Sequence, residues 1–122
     1  MSKRILVVED QEDNRRIVRD LLSASGYQFI EATTGEEGLK LATSEKPDLI
    51  LMDIQLPGMD GYEVTRRIKA NPELNPIPII VVTSYALSGD DKKAFDAGCN
   101  GYVTKPFSPR VLLAKIREFL PE

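Results

Sequence analysis

The chain has 122 residues, 42% hydrophobic and 29% charged, with 16 basic and 19 acidic side chains for a formal charge of −3. That size and balance suit one globular domain around one core, and the small net charge excludes the broad basic field on which nucleic-acid binding rests. One cysteine and no histidine exclude an internal disulfide, a Ser-His-Asp triad and any His- or thiolate-based zinc site.

Arg4–Val8 predicts a first strand that runs straight into Glu9-Asp10. Asn14–Ser25 predicts a helix with Ile17, Val18, Leu21 and Leu22 on its apolar face and Gly26 as its stop. Tyr27–Ala32 is the second expected strand. Thr34 is placed to cap a helix over Gly35–Ser44, with Leu39, Leu41 and Ala42 as its apolar contacts. Lys46-Pro47 breaks that pattern, and Asp48–Asp53 predicts the third strand. The turn residues Pro57-Gly58 follow, and Asp60-Gly61 opens a helix to about Ala70. Three prolines mark Asn71–Pro78 as a loop. Ile79–Val82 is the fourth strand, Asp90–Ala97 a short helix closed by Gly98, and Tyr102–Thr104 a short fifth strand. Ser108-Pro109 supplies an N-cap and a first-turn proline for a last helix to about Leu120.

Five strands alternating with five helices imply a parallel sheet covered on both faces. No linker, repeat or second domain interrupts the pattern, so one domain over 1–122 is expected, with Leu120-Pro121-Glu122 as its stop. No apolar stretch approaches the ~20 residues of a membrane span, and Met1-Ser2-Lys3-Arg4 leads directly into a strand without a secretory signal pattern. The lone Cys99, expected as a small buried filler, fits a reducing cytoplasm.

In open α/β sheets the binding crevice lies beyond the carboxyl ends of the strands. Glu9, Asp10, Asp53, Thr83 and Lys105 all fall at those ends. Three acids held together at the rim of a sheet are costly unless a cation or a chemical role keeps them there. With neither histidine nor a second cysteine, any metal must be bound by oxygen, which points to Mg²⁺, Mn²⁺ or Ca²⁺. Each residue alone also has a structural explanation. Asp53 can cap the turn after it, Thr83 suits a strand, Tyr102 suits a strand core, and Arg15, Arg16 and Arg19 read as a solvated helix face in preference to a docking face for a partner. Their joint placement on one edge favours a single shared site.

Val7-Val8-Glu9-Asp10, Leu51-Met52-Asp53 with Pro57-Gly58-Met59-Asp60-Gly61, Val82-Thr83-Ser84, and Gly101-Tyr102-Val103-Thr104-Lys105-Pro106-Phe107 together resemble the receiver domain of bacterial two-component response regulators. The resemblance spans essentially the whole chain. Lys46-Pro47-Asp48 through Pro57 also looks like the stand-alone cell-division regulators of that family. The resemblance implies a flavodoxin-like five-stranded parallel sheet of order 2-1-3-4-5, for which the family's chemotaxis member is a standing example.

It further implies that Asp53 accepts a phosphoryl group as a covalent aspartyl-phosphate. Asp10 and Asp53 would hold Mg²⁺ (or Mn²⁺), with Glu9 direct or through water and the Gln55 backbone carbonyl. Lys105 would pair with the phosphoryl oxygens and Thr83 would offer its hydroxyl. Lys105-Pro106 would be a cis peptide. Thr83 and Tyr102 would form the switch, altering a face that includes Lys92, Lys93, Phe95 and Lys115.

In that family the phosphoryl group comes from a phosphohistidine, and this chain has no histidine, so the resemblance implies a separate donor, a sensor histidine kinase or histidine phosphotransfer protein. A small donor such as acetyl phosphate is a substitute. Output passes to a separate, unidentified protein, through a monomer or a phosphorylation-dependent dimer, without nucleic acid or membrane. Self-catalysed phosphotransfer and dephosphorylation at Asp53 would be the only chemistry, so no conventional enzyme is expected. Ser84 stands where the family often has alanine, and Tyr85 is placed to shield the phosphoryl group from water.

A competing reading is a phosphorylation-independent interaction module of the same fold. An Asp-nucleophile hydrolase of the haloacid-dehalogenase kind would need a second Asp where Gln55 stands. A flavin binder would need a phosphate-cradling loop after the first strand, which is missing.

Overall fold

A computed structural model describes residues 3–83 and 90–121. Its elements alternate along the chain: β1 (Arg4–Val8), α1 (Glu12–Ala24), β2 (Gln28–Ala32), α2 (Gly35–Glu45), β3 (Leu49–Met52), α3 (Gly61–Ala70), β4 (Ile79–Thr83), α4 (Asp90–Ala97), β5 (Gly101–Thr104) and α5 (Pro109–Phe119). All five strands are parallel, as their alternation with helices predicts, in the order β2-β1-β3-β4-β5 that the family resemblance implies.

The period-two alternation of a strand assigns its residues to two cores. Ile5, Val7, Leu49, Leu51, Ile80 and Val82 face α1 and α5, where Val18, Leu22, Leu112 and Ile116 meet them. Leu6, Val8, Ile50, Met52, Ile79 and Val81 face the other layer, where Ala42, Val64, Ile68 and Ala94 close the packing. Burial on both faces explains why β1, β3 and β4 are apolar throughout except for Arg4 at the start of β1 and Thr83 at the end of β4.

Helix starts are fixed by side chains that satisfy otherwise orphaned N–H groups. Glu37 N–H donates to Thr34 Oγ1 at 3.1 Å, and the Glu37 carboxylate accepts from Thr33 N–H at 2.7 Å. Glu63 N–H donates to Asp60 Oδ1 at 2.9 Å, and Val111 N–H to Ser108 Oγ at 3.1 Å. The caps at Thr34 and Ser108 stand where the sequence places them, and Asp60 caps the helix expected to open at Asp60-Gly61.

Most elements differ from the sequence reading by a residue or two at an end, and three differences bear on the site. The first helix begins at Glu12, two residues early, with Glu12 and Asp13 in a first turn whose dipole favours acids. The third strand ends at Met52, so Asp53 stands just past it. Ile17 does not join the core face; it is 54% exposed, whereas Val18 and Leu22 are buried. A helix stripe wide enough to hold all four apolar positions exceeds what α1 can turn toward the sheet, and Ile17 falls at its margin.

Candidate functional site

The hydrogen-bond ladder continues one residue past the strands and thereby builds the site. Glu9 N–H donates to Ala32 O at 3.0 Å, Asp53 N–H to Val8 O at 3.0 Å, and Lys105 N–H to Thr83 O at 2.7 Å. Each bond brings one chemistry-bearing residue to the same carboxyl edge. Glu9 and Asp53 are buried at 5% and 7% exposure, Thr83 is fully buried, and Asp10 is half-buried.

Carboxylate oxygens of Glu9, Asp10 and Asp53 lie within 4.8 Å of one another. The Lys105 ammonium reaches in from the β5–α5 loop, 2.5 Å from Glu9 Oε1 and 3.9 Å from Asp53 Oδ1. The Lys105–Pro106 peptide is cis, as the resemblance implies. A cavity of about 400 Å³ opens beside these groups, lined by Ile17, Val18, Leu51, Lys105, Pro106 and Phe107 among others.

The two buried acids are driven apart. Burial pushes the Asp53 carboxyl up to about 7; the Glu9 charge adds to that, while Lys105 and the Gln55 N–H oppose it. Burial also works against the Glu9 carboxylate. Hydrogen bonding from Lys105, the Gln11 N–H at 3.1 Å and the Lys105 charge outweigh it and hold Glu9 below its ordinary value. Lys105 therefore serves Glu9 first and leaves Asp53 short of compensating charge.

Gly61 fixes the depth of the site. A Cβ there would lie 2.1 Å from the Asp53 carbonyl oxygen and 2.8 Å from Ile54 Cα. Only glycine lets the start of α3 touch the backbone that carries Asp53. Gly61→Ala is expected to cost about 3 kcal/mol of stability by forcing that backbone aside. Urea denaturation measures it, and an unchanged midpoint would contradict this packing.

Of the residues singled out in the sequence, Glu9, Asp10, Asp53 and Lys105 come together directly, with Thr83 at the adjoining end of β4. Gln55 is exposed and reaches the cluster through its backbone. Tyr102 is half-buried against the core under α3 and α4, in register with Val81. Cys99 is buried, and burial pushes its thiol up to about 11, as suits an inert filler. Ser84 and Tyr85 lie outside the described residues.

Arg15 corrects the sequence reading. Its side chain is only 12% exposed and donates to the Glu9 carbonyl at 2.8 Å, so it belongs to the site's surroundings rather than to a solvated face. The signal was present but faint: Glu31, a charge set between Ile30 and Ala32 in the second strand, needs a partner on the helix that crosses it.

The response regulator receiver domain model matches residues 5–117. The polar-differentiation response regulator DivK of Brucella ovis is 45% identical over 120 residues, 98% of each chain. The chain belongs to the response regulator receiver family.

Two solved receivers support the same placement. The receiver domain of a sensor histidine kinase from Pseudomonas aeruginosa PAO1, which has a magnesium ion coordinated in its active-site cleft, superposes with a TM-score of 0.92. It is 34% identical, with full coverage of both chains. A CheY-like receiver domain protein from Methanospirillum hungatei gives 0.88 at 36% identity, covering 97% of this chain and 93% of its own. As a receiver domain the protein is not a conventional enzyme, and family membership implies a histidine kinase as its partner. No helix among the described residues is long and apolar enough to cross a membrane.

Proposed function

We propose that this receiver accepts a phosphoryl group on Asp53 and converts it into a change of partner binding in the cytoplasm. The observation that carries the reading is the buried Asp53 carboxylate, crowded by two acids and approached by one lysine at the carboxyl edge of the sheet. An Asp53 oxygen forms the new bond to phosphorus while the phosphorus–nitrogen bond of the donor breaks. The chain has no histidine, so a sensor histidine kinase or a histidine phosphotransfer protein brings the phosphohistidine. The exposed Ile17 and the cavity beside Asp53 give such a donor an apolar surface to rest on.

The donor set fits a hard divalent cation: three carboxylates and nothing softer, with oxygens close enough to share one ion. Glu9, Asp10 and Asp53, with the Gln55 carbonyl, would hold Mg²⁺, and Mn²⁺ would be accepted in its place. When bound, the ion supplies positive charge to the acids and to the incoming phosphoryl oxygens. Lys105 then pairs with a phosphoryl oxygen as a point charge, and Thr83 donates its hydroxyl to another.

The phosphoryl group brings roughly two negative charges and new acceptor oxygens. Thr83 responds to them, and Tyr102, on the neighbouring strand, follows. The altered face includes the exposed Lys92, Lys93 and Phe95 together with Lys115. It engages a downstream protein or a second phosphorylated copy.

Beryllofluoride with Mg²⁺ tests the reading, monitored by amide NMR. Wild type is expected to shift at the site and at β5 around Tyr102. Thr83→Ala is expected to keep the site shifts and lose those at Tyr102. No specific change in wild type would leave only a phosphorylation-independent interaction module.

A further inference from the structure

The Glu9–Asp10 segment is gripped by β2 on one side and by α1 on the other. Its first N–H, that of Glu9, donates to Ala32 O at 3.0 Å. Its carbonyl, that of Glu9, accepts from Arg15 Nη1 at 2.8 Å. Arg15 is in turn fixed: its Nε lies 3.4 Å from Glu31 Oε1 on β2, and its Nη2 lies 2.5 Å from Glu12 Oε2. Arg19 Nη2 steadies both acids, at 3.0 Å from Glu31 and 3.2 Å from Glu12. Val7 pairs with Glu31 across β1 and β2, so the brace is anchored in the sheet itself.

We infer that Arg15, braced by Glu31, is a positioning residue that fixes the Glu9–Asp10 peptide and so aims the Asp10 carboxylate at the cation. The inference rests on the reading of Asp10 as a ligand of Mg²⁺. A planar guanidinium presents its donors in a fixed fork, and here the fork spans a carbonyl and two carboxylates at once. An ammonium is a single point and cannot span all three. The arrangement resembles the outer-layer contacts that hold metal ligands in orientation elsewhere, whose loss weakens metal affinity by about tenfold or more.

The sign of the effect separates this role from simple electrostatics. Arg15 is a positive charge close to a cation site, so Coulomb repulsion alone predicts that removing it tightens binding. Positioning predicts the opposite.

The test is Mn²⁺ binding, measured by paramagnetic resonance titration of the full chain, for wild type, Arg15→Ala, Arg15→Lys and Arg16→Ala. Arg16 is 63% exposed and pairs only with Asp13 among the described residues, so it serves as a charge control. Affinity is expected to fall about tenfold in Arg15→Ala, to fall by a smaller factor in Arg15→Lys, and to stay unchanged in Arg16→Ala. Melting curves without metal establish that each variant is folded. Arg15→Lys keeps charge and stem and carries the test if Arg15→Ala does not fold.

Affinity equal to or tighter than wild type in the Arg15 variants would overturn the inference while leaving the site intact. Absence of Mn²⁺ binding in wild type would overturn both the inference and the reading of the cation site.

Discussion

Asp53→Asn is expected to stabilise the cation-free protein, strongly at pH 8 and little at pH 5. The folded carboxyl titrates near 7, pushed up first by burial and then by the Glu9 charge, whereas an unfolded aspartate titrates near 3.9. Below pH ~4 both states are protonated and the site costs nothing. Between pH ~4 and ~7 the unfolded chain releases a proton that the folded chain keeps, so stability falls as pH rises. Above pH ~7 the full cost is present.

Three pH units of displacement correspond to about 4 kcal/mol at most, and readjustment of Glu9 and Lys105 brings the effect to about 2–4 kcal/mol. Glu9 works in the other direction and in another window. Its carboxyl is held down, so its contribution is present above pH ~4.5 and lost on further acidification. The slope between pH 5 and 7 therefore belongs to Asp53. Thermal melts in chelator across that range should show wild type losing stability while Asp53→Asn stays nearly flat. Parallel curves would contradict the crowding of charge inferred at this edge.

Cation affinity should carry the mirror image of that slope. A divalent ion needs Asp53 ionised, and below pH ~7 a proton must leave for the ion to enter. Apparent Mg²⁺ affinity should drop about tenfold per pH unit below 7, and so by roughly 25-fold between pH 7.5 and 5.5. Titration calorimetry in buffers of different ionisation enthalpy would report both the affinity and the proton released. A pH-independent affinity with no proton release would mean that Asp53 is already ionised in the empty site. The Lys105–Glu9 ion pair adds a requirement to the proposed chemistry: Lys105 would exchange part of its contact with Glu9 for the phosphoryl group. The resting site therefore holds three acids against one lysine, and that lysine is committed mainly to Glu9.

Much of this was legible in the residues. Strands buried on both faces leave uninterrupted apolar runs, and acids that terminate two such runs must meet at one edge of a parallel sheet. Thr34, Asp60 and Ser108 announce helix starts by chemistry that acts within three residues, and all three behave accordingly. Local signals of that kind survive folding because tertiary contacts do not compete with them.

What escaped the sequence depends on distance in space. Ile17 has the spacing of a core residue, and only the angle at which α1 lies on the sheet turns it to solvent beside the cavity. Arg15 has the spacing of a surface residue. It is covered because Glu31 on β2 and the Glu9 carbonyl stand opposite it. The unequal fates of Glu9 and Asp53 could not be read from sequence either, since they turn on which carboxylate Lys105 reaches first.

Intact-mass analysis after incubation with acetyl phosphate and Mg²⁺ tests the phosphoacceptor assignment most directly. Wild type is expected to gain a single phosphoryl group that Asp53→Asn does not acquire, and chelation should prevent the gain. An unlabelled wild type, or equal labelling of Asp53→Asn, would contradict it.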